Sequence, residues 1–141
     1  MKLLVDTNVF LDVVLERKSL MRESAAVLDA IEDGRAEGYV SSHAVTTIHY
    51  IVARANGGAA AVTAISDILD LCEVVAVNEA DFRRALALGL KDFEDAVQVA
   101  AALHAGADYL VSRNEKDFKN SPIDVRSPST IAVLLSVPGA P

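Results

Sequence analysis

Lys2-Leu3-Leu4-Val5-Asp6-Thr7-Asn8-Val9-Phe10-Leu11-Asp12 decides how this chain is read, because a strand-like apolar run stops at polar residues and gives way to helix-like spacing. Lys2 to Val5 reads as a buried parallel strand with Asp6 at its carboxyl tip. Ligands of open α/β sheets gather outside the carboxyl ends of the strands. Asp6 is therefore expected to face a crevice, while Leu4 and Val5 enter the core. An acid that ends a buried strand is hard to explain by solvation alone.

Outward from that strand, the spacing predicts a short helix over Val9 to Leu15 and a longer one over about Leu20 to Asp33, with Met21, Ala25, Leu28 and Ile31 on one stripe. Gly34 and Gly38 bracket its end. Tyr39 to Ser41 reads as a second strand and about Ala44 to Ala55 as a helix ended by Asn56-Gly57-Gly58. Ala59 to Leu71 is helical, Glu73 to Val77 a third strand, and Asn78 the N-cap of a helix over about Glu79 to Leu88. A helix over about Asp92 to Ala105 leads into the strand Tyr109 to Val111. A weaker strand near Ile123 to Val125 and a helix over about Pro128 to Leu135 finish the chain. Strands regularly separated by helices imply an α/β fold, a three-layer α/β/α sandwich on a central, mainly parallel sheet.

The 141 residues contain no low-complexity run or Pro/Gly-rich linker, so one domain over residues 1–141 is expected. A hydrophobic share of 52% with 5% aromatics and no Trp implies a core of Ala, Val, Leu and Ile. The lone Cys72 excludes an intrachain disulfide and reads as a small core residue. No basic leader precedes the first strand, and no apolar run reaches the roughly 18 residues of a membrane helix. A soluble, cytoplasmic protein with no membrane partner is the expectation. Net charge is -7, from 20 acidic and 13 basic residues, which argues against a nucleic-acid partner unless the acids gather around divalent cations that reverse the local sign.

Three strand tips carry polar clusters: Asp6-Thr7-Asn8, Ser41-Ser42-His43, and Ser112-Arg113-Asn114 running on to Asp117. A further acidic group, Asp92-Phe93-Glu94-Asp95, opens a helix. Asp92 and Asp95 share a helical face, whereas Glu94 is rotated by about 200° and is expected to look elsewhere. Acids in a first turn ordinarily just complement the helix dipole. A site for Mg2+ or Mn2+, however, needs oxygen ligands delivered from several elements, and such a site activates water for attack on a phosphodiester without a nucleophilic Ser or Cys.

Leu4-Val5-Asp6-Thr7-Asn8-Val9, Asp92-Phe93-Glu94-Asp95-Ala96 and Val111-Ser112-Arg113-Asn114-Glu115-Lys116-Asp117-Phe118 resemble the motifs of PIN-domain proteins, and together they span nearly the whole chain. The resemblance implies a parallel α/β/α sandwich and a metal-dependent endoribonuclease of the VapC-toxin type. It carries Asp6, Asp95, Asp117 and Asn114 over as catalytic positions and Asp6, Asp95 and Asp117 as metal ligands. Asn8 is the motif's local hydrogen-bonding residue, with Thr7 and Ser112 in support. An antitoxin protein is the partner such a family implies, beside the RNA substrate, and a homodimer is expected both from the family and from the apolar helices over Ala44 to Leu71, which carry more Ala, Val and Ile than one core buries.

Nuclease members usually place a Glu on the helix after the second strand. Here Ser42 to Tyr50 contains no acid, and Thr46 or Thr47 occupies that place. Asp92, on the face of Asp95, is the candidate to compensate as a ligand. Arg113, Lys116 and Lys119 flank Asp117 as candidate RNA-phosphate contacts, and Arg17, Lys18 and Arg22 extend the track. His43, His49 and His104 are scattered against a His-based metal site, although His43 follows a strand tip and is placed to approach substrate. Gly57-Gly58 lacks the Lys-Ser/Thr context of a phosphate loop. Two readings stay open: the ribonuclease, and a catalytically weak or inactive PIN-like module that binds RNA or protein.

Overall fold

A computed structural model describes residues 1–136. Five strands, β1 (Lys2–Val5), β2 (Glu37–Ser41), β3 (Glu73–Val75), β4 (Tyr109–Val111) and β5 (Asp124–Arg126), pair in parallel in the order β3-β2-β1-β4-β5. β1 is central. The winding runs from β1 through β2 to β3 on one side and resumes with β4 on the other, so the topological switch point lies between β1 and β4, beside Asp6.

The helices are α1 (Thr7–Val14), α2 (Met21–Glu32), α3 (Ser42–Asn56), α4 (Gly58–Leu71), α5 (Glu79–Ala87), α6 (Phe93–Ala105) and α7 (Pro128–Ser136), with a 3-10 turn at Glu115–Phe118. Side chains alternate across each strand, and that alternation makes two cores. Leu3, Val5, Val40 and Val111 pack with Val9, Val27, Ile48, Ala61 and Ile131 from α1, α2, α3, α4 and α7. On the opposite face Leu4, Leu110 and Val125 meet Val99, Ala101 and Ala102 of α6, while Ala85 of α5 packs on Ala96, Val97 and Ala100. The expected three-layer α/β/α sandwich is the observed one. The small side chains along α6 let it lie close to the sheet.

Several boundaries differ from those expected. β2 begins at Glu37 instead of Tyr39, because Gly38 is a packing residue and not a breaker: a Cβ there would lie 2.8 Å from both Cys72 Sγ and Ile31 Cδ1. β3 ends at Val75 and not Val77, since the Val77 amide turns to donate to Ser42 Oγ at 3.0 Å. α1 and α3 each start two residues early, at Thr7 and Ser42, directly behind the strand tips. The helix expected from Asp92 starts at Phe93, with Asp92 as its N-cap, and ends at Gly106 in the left-handed region, where glycine carries no Cβ penalty. Lys116 and Asp117, expected in a loop, lie in the 3-10 turn.

Candidate functional site

Asp6 is buried, and its carboxylate is the hub of a network that ties three strand tips together. Oδ1 accepts from the Thr7 amide at 2.9 Å and from Gln98 Nε2 at 2.9 Å, and Oδ2 accepts from Ser112 Oγ at 2.9 Å. Ser41 Oγ donates to Gln98 Oε1 at 2.7 Å, which turns the amide nitrogen of Gln98 toward Asp6. β2, α6, β1 and β4 are thus locked around one carboxylate. Both lone pairs of Oδ1 are engaged, whereas Oδ2 keeps one acceptor position open. Buried beside them, Thr7 Oγ1 has no hydrogen-bond partner among the described residues.

Asp95, half-buried in the first turn of α6, carries the strongest electrostatic signature. Burial, then the charges of Asp92, Asp6, Asp117 and Glu94, push its carboxyl up to about 6. Four other carboxylates therefore act on Asp95, Glu94 included. That residue was expected to look elsewhere. It also acts on His43, whose pKa is lowered by burial against the opposing pull of Glu94 and Asp6. Neither ring nitrogen of His43 is exposed or hydrogen-bonded among the described residues.

Asp92 and Asp95 line one cleft of about 470 Å3 with Lys91, Lys116, Asp117 and Lys119. The cleft thus brings Asp92 and Asp95, at the start of α6, together with Asp117 from the segment after β4, while Asp6 is not in its lining and reaches Asp95 through its charge. Asp92 Oδ1 accepts from the Asp95 amide at 3.0 Å, so this side chain caps α6 while standing at the cleft. A second depression, of about 430 Å3, is lined by Arg113, Asn114, Glu115, Lys116 and Asp117. Asn114 is exposed, and its backbone N–H donates to Ser112 Oγ at 3.3 Å. Asn8 Oδ1 accepts from Arg17 at 3.4 Å. Arg113 is partly committed elsewhere, with its Nε 3.0 Å from Asp12 Oδ2.

A PIN-domain family model matches residues 2–116, most of the chain. The chain belongs to the PIN-domain family. Ribonuclease VapC1 of Aquifex aeolicus (strain VF5) is 26% identical over 129 residues, 88% of each protein. Among solved structures, VapBC2 from Rickettsia felis bound to a promoter DNA fragment superposes with a TM-score of 0.69 at 14% identity, covering 90% of this chain and 98% of that one. A toxin–antitoxin complex from Klebsiella pneumoniae gives 0.66 at 23% identity, covering 89% and 96%. These likenesses show a shared PIN fold.

In this PIN domain, α3 bears no acid on its first turns. Thr46 Oγ1 and Thr47 Oγ1 instead bond back to the His43 carbonyl at 2.8 and 3.2 Å. Among the described residues, no three His, Cys, Asp or Glu side chains are grouped so as to hold a metal ion between them. The donors that face the cleft are nevertheless hard oxygens, with an open acceptor position on Asp6 Oδ2 nearby, a donor type that suits Mg2+ or Mn2+ completed by water. Sequence reading missed Gln98 and Asp12 and marked Ser41 only as part of a polar strand tip. Gln98 had a signal: it follows Asp95 by three residues, on the same helical face, as the one polar side chain in the run Ala96 to Leu103. His104, distant from the site, pairs through Nδ1 with Asp81 Oδ2 at 2.8 Å. No helix among the described residues is long and apolar enough to cross a membrane.

Proposed function

We propose that this PIN domain is a metal-dependent endoribonuclease, the toxin of a toxin–antitoxin pair. One observation carries the reading: Asp92, Asp95 and Asp117 line a single cleft, where burial and the charges of Asp92, Asp6, Asp117 and Glu94 raise Asp95 to about 6. Carboxylates at such density repel one another unless cations join them. Asp6 through Oδ2, Asp95 and Asp117, aided by Asp92, would hold Mg2+ or Mn2+, which supplies Lewis-acid polarisation of the scissile phosphate and activation of the attacking water. Gln98, Ser112 and the Thr7 amide hold the Asp6 carboxylate in one orientation. Lys116 and Lys119, on the rim of the acidic cleft, offer charge to the phosphates on either side of the cut. The similarity to Ribonuclease VapC1 and to a solved toxin–antitoxin complex supports both the reaction class and a protein antitoxin as partner.

The test combines a thermal shift with a cleavage assay. Mn2+ is expected to raise the Tm of the native chain and to support cleavage of single-stranded RNA, and Asp6→Asn to abolish both effects. A second reading, a PIN domain with little catalysis that binds RNA or protein, rests on the acid-free first turns of α3 and on the open arrangement of the carboxylates. RNA binding without Mn2+ stabilisation or cleavage would decide for it. We also infer a homodimer, supported by the exposed Phe82 and Leu86 of α5 and Phe93 of α6, of which the two Phe rings stack at 6.3 Å. Light scattering on the purified chain tests this.

A further inference from the structure

Asp12 lies on α1 and is fully buried, yet it is none of the acids of the cleft. Two arginines from different parts of the chain converge on it. Arg113 Nε stands 3.0 Å from Oδ2 and Arg17 reaches Oδ1 at 3.4 Å, while Ser24 Oγ of α2 donates to Oδ2 at 2.9 Å. The contact of Arg113 is a charge pair without hydrogen-bond alignment, because its Nε finds no aligned acceptor. A fully desolvated carboxylate needs such partners, and one arginine with a hydroxyl would serve. The second leaves the cluster with a surplus positive charge.

That surplus is placed where a polyanion would meet it. Arg113 directly follows Ser112, which donates to Asp6 Oδ2, and it lines the depression that also contains Asp117. Its side chain is 24% exposed and that of Arg17 is 34% exposed. The two terminal nitrogens of Arg113 make no hydrogen bond among the described residues, which leaves the planar fork suited to phosphate oxygens unspent. We propose that Asp12 is a positioning residue for RNA cleavage: from inside the fold it holds Arg113, with Arg17 behind it, so that the guanidinium edge of Arg113 takes a phosphate of the strand bound across Asp6 and Asp117. This inference rests on the nuclease reading. Asp12 touches no substrate, and its effect passes entirely through the arginines.

The test is steady-state cleavage of a fluorogenic single-stranded RNA carrying a degenerate central hexamer, with Mn2+, over a series of salt concentrations. Asp12→Asn is expected to raise KM about tenfold with kcat within about twofold, and to reduce the slope of log KM against log salt by about 0.7, the share of one phosphate contact on a single strand. Arg113→Gln should do the same, and the double variant should add little to either, as for two residues acting through one contact. A purely structural Asp12 would lower Tm without changing the salt slope, and that result overturns the inference. Full additivity of the two substitutions overturns it too. Should Asp12→Asn fail to fold, Arg113→Gln alone decides, since unchanged KM and slope in that variant refute the clamp and the expected changes uphold it. If the native chain cleaves no RNA, the nuclease reading falls and takes this inference with it; normal cleavage with an insensitive Asp12 and Arg113 sinks only the latter.

Discussion

Replacing Gln98 by Leu keeps the volume at this buried position and removes its polar chemistry, so its cost follows from the network around Asp6. Gln98 donates to Asp6 Oδ1 at 2.9 Å and accepts from Ser41 Oγ at 2.7 Å. A hydrogen bond to a charged group contributes about 1.5–3 kcal/mol, and the hydroxyl of Ser41, left buried without an acceptor, costs about 1–3 kcal/mol more. Leu returns about 1 kcal/mol through its apolar surface. The net loss is about 1.5–5 kcal/mol, which for a chain of this size lowers Tm by roughly 5–20 °C. Urea unfolding of Gln98→Leu, Ser41→Ala and the double variant measures it. In the native background Ser41→Ala should destabilise, because the Gln98 oxygen loses its donor. In the Gln98→Leu background it should be neutral or stabilising, because it removes the orphaned hydroxyl. A coupling energy of about 1–3 kcal/mol follows. Equal costs of Ser41→Ala in both backgrounds would show that the three side chains do not act as one network.

The remaining expectations concern single sites. Asp95 sits at about 6 when folded against an ordinary 3.8, so its contribution to stability is fully present below about pH 4 and is lost as pH rises through 6. In EDTA, Asp95→Asn should raise Tm at pH 7.5 and leave it unchanged near pH 4; an equal shift at both would contradict this origin. Gly38→Ala forces a Cβ to 2.8 Å from Cys72 Sγ and Ile31 Cδ1, an overpacking that should cost about 1–3 kcal/mol. Denaturant melts check it, and an unchanged midpoint would mean that β2 shifts freely. Burial pushes the Cys72 thiol up to about 12, so a maleimide at pH 8 should label it in urea but not in buffer. Rapid native labelling would show that α4 opens locally.

The reach of the sequence is clearest at Asp6, where an apolar run breaking on an acid announces a strand tip whatever the rest of the chain does. Alternation and helix spacing likewise recover the layers, because both are local periods. Gly38 shows where locality fails: in one dimension a glycine after a helix reads as a breaker, and only the approach of Ile31 and Cys72 reveals that a larger residue would have to displace their side chains. Gln98 fails for the same reason at longer range. A glutamine in a helix ordinarily reads as solvated surface, and its two partners lie 57 and 92 residues away. Asp12 is the extreme case, an acid in a short helix that takes Ser24 from 12 residues on and Arg113 from beyond β4, the strand paired with β1.

On the nuclease reading, a chain of net charge -7 would have to bind a polyanion, an electrostatic conflict that the layout around Asp6 addresses. The carboxylates are concentrated in the cleft, while Lys91, Lys116, Lys119 and Arg113 line its rim and the neighbouring depression. Without a cation the interior repels phosphate and the basic rim alone attracts it. On the nuclease reading, a divalent ion among Asp6, Asp95 and Asp117 cancels most of that repulsion, so cation and RNA each strengthen the binding of the other, by the same factor in both directions. The acid missing from α3 weakens the cation side of this linkage and leaves the basic rim untouched. Affinity for the ion then depends more heavily on RNA being present. The rigid network that fixes Asp6 matters more under that condition, since a site with fewer ligands gains most from having each one already oriented.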